Sequence, residues 1–239
     1  MTHAFYDSLS YNEDIELDLS MLEATGMITH DESRNHIMAT IHATVGTPVW
    51  QALASGNYGL SLNPAYPISD MRQYLDAPAA ATGALDFTNG DYSLAMWFNW
   101  IDTSYSQILM GKYAVDIRGW EAYITRVVLG DLMTVRHHHG GTRSGTYSAG
   151  WNQSQWQLFG YSRTGATAQH YRNGQPITTI GALQDPASSA ASDLIIGRRF
   201  TGNQNWFKAR FHRPRAWSRA VTASEHRILW ELERGWFGL

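Results

Sequence analysis

Three sets of residues in this chain have the types and spacing that chemistry needs. In the first, Asp14-Ile15-Glu16-Leu17-Asp18-Leu19, acids and aliphatics alternate strictly. Successive strand residues point to opposite faces, so the carboxylates share one face and the aliphatics the other. Carboxyl groups about 5 Å apart are what a retaining glycosidase uses as nucleophile and general acid. A row of like charge also keeps other strand edges away, and a solvated, edge-protecting face is the preferred reading. The second set is His137-His138-His139, running into Gly140-Gly141. His137 and His139 would share one strand face, close enough to ligate zinc or nickel. A closed site needs further ligands, so an exposed polar strand end is the simpler expectation. The third set could hold a sugar, which takes a flat aromatic for its apolar face and amides for its hydroxyls. Trp120, Trp151 and Trp206, with Asn152, Asn203 and the histidines nearby, are the candidates. Core packing is the competing expectation for each tryptophan.

Elements that could position these residues are written mainly as strands. Trp156–Ser162 and Thr167–Arg172 flank the polar turn Arg163-Thr164-Gly165, and Asn173-Gly174 then supplies the positive φ of a tight hairpin. Leu94, Met96, Phe98 and Trp100 alternate with Ser93, Ala95, Trp97 and Asn99, a strand apolar on both faces and therefore central. Further strands are expected over 14–19, 106–110, 120–128, 132–139 and 193–198, with a strand pair over 205–219. Thr222, Ser224 and Glu225 form a capping box, predicting a helix through Arg234 that buries Ile228, Leu229 and Leu232 and ends at Gly235. Pro214 cannot donate to a ladder, which predicts an edge or a bulge there.

At 239 residues the length suits one undivided all-β domain, read as an arm over 1–12 and a sandwich over 13–239. Net charge is -3 with acids and bases scattered, which points away from nucleic acid and other polyanions. Without cysteine there is no disulfide, thiolate catalysis or cysteine-ligated zinc. No stretch reaches the roughly 20 apolar residues of a membrane helix, so membrane insertion is not expected. The opening residues lack the basic start and apolar segment of a usual signal peptide, so the expectation is a soluble product made in the cytoplasm. Nucleophile elbow, P-loop and HExxH motifs are missing, and no enzyme is expected.

The hairpin over 151–174 resembles that of laminin-G-like, concanavalin A-like jelly-roll modules. So do Tyr74-Leu75-Asp76-Ala77-Pro78, Tyr92–Trp97 and Asp193–Arg198, and above all the C-terminal run Phe207, Ala209, Phe211, His212, Pro214, Arg215, Trp217, Ser218, Arg219, Ala220, Val221, Thr222, Glu225. The resemblance implies an all-β, two-sheet antiparallel jelly-roll sandwich with one short C-terminal helix, and a binding module. It also implies two more strands, over 37–43 and 56–62. Arg215 and Arg219 are expected to act as structural clamps onto neighbouring loops. Arg34 replaces the family's glycine after the turn serine, and Asp-Ile-Glu-Leu-Asp differs from the Glu-x-Asp-x-Glu of glucanases on this fold. Calcium is common among such modules, and Asp31, Glu32 and Asp76 would be its ligands here; no other cofactor is implied. Jelly-roll proteins of tailed bacteriophages suggest a virion-exposed decoration or adhesion protein, or otherwise an extracellular or cell-surface carbohydrate-binding module; a glycoside hydrolase using Asp14, Glu16 and Asp18 ranks last. Expected partners are a glycan or other virion and capsid proteins, with homo-oligomerisation, and Phe5-Tyr6 or Trp236-Phe237 could dock a neighbour or cap the chain's own sandwich.

Overall fold

A computed structural model describes residues 9–44, 46–63, 73–101, 106–127, 130–199 and 206–239. Asn203 and the pair Phe5-Tyr6 lie outside them.

Among the described residues, sixteen strands build two antiparallel sheets. In the first, β14 (Gln175–Ile180), β13 (Thr167–Arg172), β12 (Gln157–Thr164), β7 (Tyr92–Trp100), β16 (Ala209–Trp217), β5 (Tyr58–Leu62) and β4 (Val49–Ala52) follow in that order, and β1 (Ile15–Asp18) also pairs with β16. The second runs β11 (Arg143–Ser148), β10 (Gly130–His139), β9 (Arg118–Val127), β8 (Gln107–Ala114), β15 (Leu194–Ile196), β6 (Gln73–Ala77), β3 (Met38–Ala43) and β2 (Ile28–His30). This is the jelly-roll sandwich expected from the sequence. Leu94, Met96, Phe98 and Trp100 of β7 face Trp120, Ala122 and Ile124 of β9 in the core between the sheets. The hairpin turn is as expected: Asn173 and Gly174 have φ of 54° and 72°. A Cβ on Gly174 would stand 2.8 Å from Cβ of Trp230, so glycine also lets the turn approach the helix.

Over the described residues 206–219 there is one strand, β16, where the sequence suggested a pair over 205–219. Of the two alternatives at Pro214 the bulge is realised: β16 is central, and its register against β7 shifts between His212 and Arg215. Arg213 there has φ of 55°, and the Pro214 carbonyl accepts from the Leu19 N–H at 3.0 Å. β5 pairs with β16 before the bulge and β1 after it.

Helix α1 (Ala223–Glu233) starts at the Thr222–Glu225 capping box. It ends differently from the expectation, continuing through Gly235 as a 3-10 turn over Arg234–Phe237 that stops at Gly238. Its buried residues are Glu225, His226, Leu229 and Glu233, whereas Ile228 and Leu232 remain 39% and 36% exposed. The helix covers the outer face of the first sheet over a second aromatic cluster that includes Tyr11, Trp97, Leu158, Trp217 and Phe237. Phe237 stacks on Trp97 with centroids 4.1 Å apart, so the C-terminal aromatic caps its own sandwich.

Candidate functional site

The carboxylate row is neither a solvated face nor a catalytic pair. A register shift between Ile15 and Leu17 breaks the simple alternation, and Asp14 takes φ of 55° before the strand begins. Glu16 is buried, accepting from Arg34, from Asn35 Nδ2 at 2.8 Å and from Ser218 Oγ at 2.8 Å. Asp18 accepts from Arg213 at 2.9 and 2.8 Å and from Arg215 at 3.2 Å. Both arginines also hold Glu233 of α1, which takes the Trp97 Nε1–H at 2.7 Å. Burial acts to raise the Asp18 and Glu233 pKa values, but the two guanidiniums more than reverse it and hold both carboxyls ionised. These acids fasten strand, bulge and helix together. Arg219 does the same for the N-terminal segment, donating to the carbonyls of Glu13 and Ser10 while pairing with Glu225.

Most of the other candidates lie inside the fold. Trp120 donates to the Leu85 carbonyl, and Trp151 to Ser148, both buried and without a face for a sugar. Trp206 is buried 5.9 Å from the Tyr74 ring. Asn152 is exposed, yet its groups serve the loop: its carbonyl accepts from Trp100 and Gln157, and its amide donates to Gln155. His137 points into the core, accepting from Tyr92 and donating to the Gln184 carbonyl, each at 2.7 Å; burial lowers its pKa to about 4. His139 closes a turn with Thr142, at 2.5 Å. Asp31 likewise organises its own turn, accepting from the N–H groups of Asp18, Ser33 and Ile37. Glu32 takes a Ser20 hydroxyl, and Asp76 pairs with His42 at 2.9 Å. Among the described residues no three His, Asp or Glu side chains gather as a metal site would need.

What remains open is the outer face of the second sheet. The core takes Trp120, Ala122 and Ile124 of β9 and Met133 and Val135 of β10, so the residues between them face out. Register sets those residues in rows. One row is Ile108, Tyr123, Thr134, Tyr147; the next is Glu121, Arg136, Gly145; the last is Gly119, His138, Arg143. Ile108, Glu121, Tyr123, Arg136 and Arg143 of these rows, with Ser106, Thr125 and Arg199, line a hollow of about 390 Å³. Its floor is hydrogen-bonded in advance: Glu121 Oε1 accepts from Arg136 Nη1 and from His138 Nε2, each at 3.2 Å. The Asp116 N–H donates to His138 Nδ1 at 3.0 Å, which fixes the tautomer whose Nε2–H faces Glu121. Arg136 also donates to the Tyr123 hydroxyl and lies over that ring, 4.7 Å from its centroid. Tyr147, two strands from Tyr123 and therefore about 10 Å away, is 57% exposed and offers a free aromatic face. Glu121 is the one carboxylate among the described residues lining the hollow. Of these side chains only His138 was named from the sequence, as the middle of the histidine run.

A sequence model of the concanavalin A-like lectin/glucanases superfamily matches residues 72–225. A search among curated proteins finds no match. Among solved structures, the binding domain of Paraclostridial Mosquitocidal Protein 1 superposes with a TM-score of 0.67 at 14% identity, covering 92% of this chain and 52% of that one. The binding domain of botulinum neurotoxin DC in complex with SialylT gives 0.68 at 11% identity, covering 92% and 51%. The same domain in complex with rat synaptotagmin II gives 0.67 at 12%, covering 93% and 52%. This chain thus spans about half the length of the binding domains it resembles, and at such identities the likeness is one of fold. Two stacked antiparallel sheets, the C-terminal helix and a family match over most of the chain make this protein a member of the concanavalin A-like lectin/glucanase superfamily.

Proposed function

We propose that this chain is a non-enzymatic recognition module that binds a glycan in the hollow on the outer face of β8–β11. The observation that carries this reading is the contrast of covering: the outer face of the first sheet lies under α1, whereas that of the second presents a polar, arginine-lined hollow beside an exposed tyrosine. The volume falls within the roughly 300–1,000 Å³ of small-ligand sites. In this reading Tyr147, exposed beside the hollow, stacks on the apolar face of a sugar whose hydroxyls meet Ser106, Thr125 and the guanidiniums. A glycan as ligand is supported by structural neighbours that include a botulinum neurotoxin DC binding domain in complex with SialylT and a botulinum neurotoxin type C whose cell entry depends upon interaction with two ganglioside molecules. A glycan array tests it: specific hits that Tyr147→Ala abolishes, with an unchanged melting temperature, are expected, and an array without hits would refute it.

Display on a bacteriophage virion, as a decoration or adhesion protein, is the setting we infer for such a module. Support comes from the margin where the sheets end in β2 and β4. Met27, Ile28, Met38 and Val49 are exposed there, and Trp50 Nε1 of β4 reaches the Gly26 carbonyl at 3.1 Å. Apolar side chains gathered along open strand edges suit contact with a neighbouring subunit. Sedimentation should find an oligomer that Met38→Lys dissociates; a wild-type monomer would remove the assembly part of this reading.

A further inference from the structure

The hollow's charge says more than that it binds sugar. Arg136, Arg143 and Arg199 converge on it from β10, β11 and the segment after β15, in a chain whose net charge is -3. Their partners satisfy only part of the convergent positive charge. Glu121 neutralises Arg136 from below, within a bonded floor. Arg143 meets Asp116 at 3.3 Å, but both side chains are half exposed, so water weakens the pair. Arg199, half-buried at the rim, has no ion pair among the described residues. Guanidinium forks match the planar geometry of a carboxylate and hold it through paired N–H donors.

We propose that the hollow selects a carboxylate-bearing sugar, with Arg143 and Arg199 gripping the carboxylate, Arg136 held by Glu121 and Tyr123 as the fixed floor, and Tyr147 against the ring's apolar face. This rests on the glycan-binding reading above and narrows it to acidic saccharides. The Arg136–Glu121–His138 chain fixes the floor before any ligand arrives, which reduces the ordering cost of binding.

The test titrates the intact chain with sialyllactose and glucuronyl-lactose, each against lactose, at low and physiological salt. An acidic sugar should bind at least about tenfold tighter than lactose, corresponding to about 1.4 kcal/mol, and the preference should shrink with salt. Arg199→Gln and Arg143→Gln should each erase most of that preference without moving the melting temperature, while Tyr147→Ala should weaken acidic and neutral ligands alike. Equal binding of lactose and its acidic forms, still dependent on Tyr147, would overturn the carboxylate assignment and leave the glycan reading standing. If no saccharide binds, both fall.

Discussion

The two outer faces of this sandwich received opposite treatment. Over the first sheet, α1 and the C-terminal turn bury Trp97, Trp217 and Phe237 and lock Asp18, Arg213, Arg215 and Glu233 into one ion-pair network. Over the second, β8–β11 leave arginines, a tyrosine and hydroxyls around a hollow whose floor is bonded. Charged residues serve both places. On the covered face every carboxylate oxygen of Asp18 and Glu233 is taken up by arginine or tryptophan; on the open face the Arg143–Asp116 pair is half exposed to water. Burial with full pairing gives stability, and partial pairing at a hollow gives recognition.

Acid should disturb the covered face most. His212 and His226 lie beneath the lid, and burial lowers their pKa values to about 4 and about 3; His137 and His170 in the core are lowered to about 4 and about 3 in the same way. His226 Nδ1 has no hydrogen-bond partner, so a proton there would have none either. A folded pKa below the unfolded value of about 6.5 means that stability is whole above that pH and declines as pH falls towards the folded value. The loss approaches about 1.4 kcal/mol per pH unit for each histidine. Denaturant unfolding between pH 7.5 and 4 should therefore show a steep fall beginning near pH 6; constant stability to pH 4 would break the account of neutral, buried imidazoles.

Arg215→Ala should come next, since it leaves Asp18 and Glu233 buried with a partner removed, at about 3–5 kcal/mol. A thermal or urea melt reads the loss, and a change below 1 kcal/mol, roughly a surface pair's worth, would mean that the network is not what holds the lid. Thr222→Ala removes one half of the capping box of α1 and should cost about 1 kcal/mol, measurable as a lower urea midpoint with unchanged slope.

The two faces were unequally legible in sequence. Local patterns were enough for the hairpin ending at Asn173-Gly174, for the apolar strand Tyr92–Trp100 and for the capping box, because turn chemistry, alternation and caps act between neighbours. The lid's inner surface was misread: apolarity pointed to Ile228 and Leu232, yet the fold buries His226 and Glu233, whose partners Ser162, Arg213 and Arg215 lie on other elements. β11 was missed for a related reason. Its inward residues Thr146 and Ser148 are polar and bind the buried His170, so no apolar alternation marks the strand or exposes Tyr147 as its outward residue. Arg136, Arg143 and Arg199 share no local motif: strand register brings the first two together, and the segment after β15 adds the third. The signal that could have found Tyr147 is the odd–even contrast Arg143, Gly145, Tyr147 against Ser144, Thr146, Ser148.

The smallest effect on stability should accompany the largest effect on function. In the Tyr147→Ala, Arg199→Gln double variant both side chains are on the open face, and its unfolding free energy should stay within about 0.5 kcal/mol of the native chain. Calorimetric titration of that variant and the native chain with sialyllactose tests the division between the two faces most directly. The account predicts binding by the native chain and none by the variant at equal melting temperature; undiminished binding by the variant would contradict it.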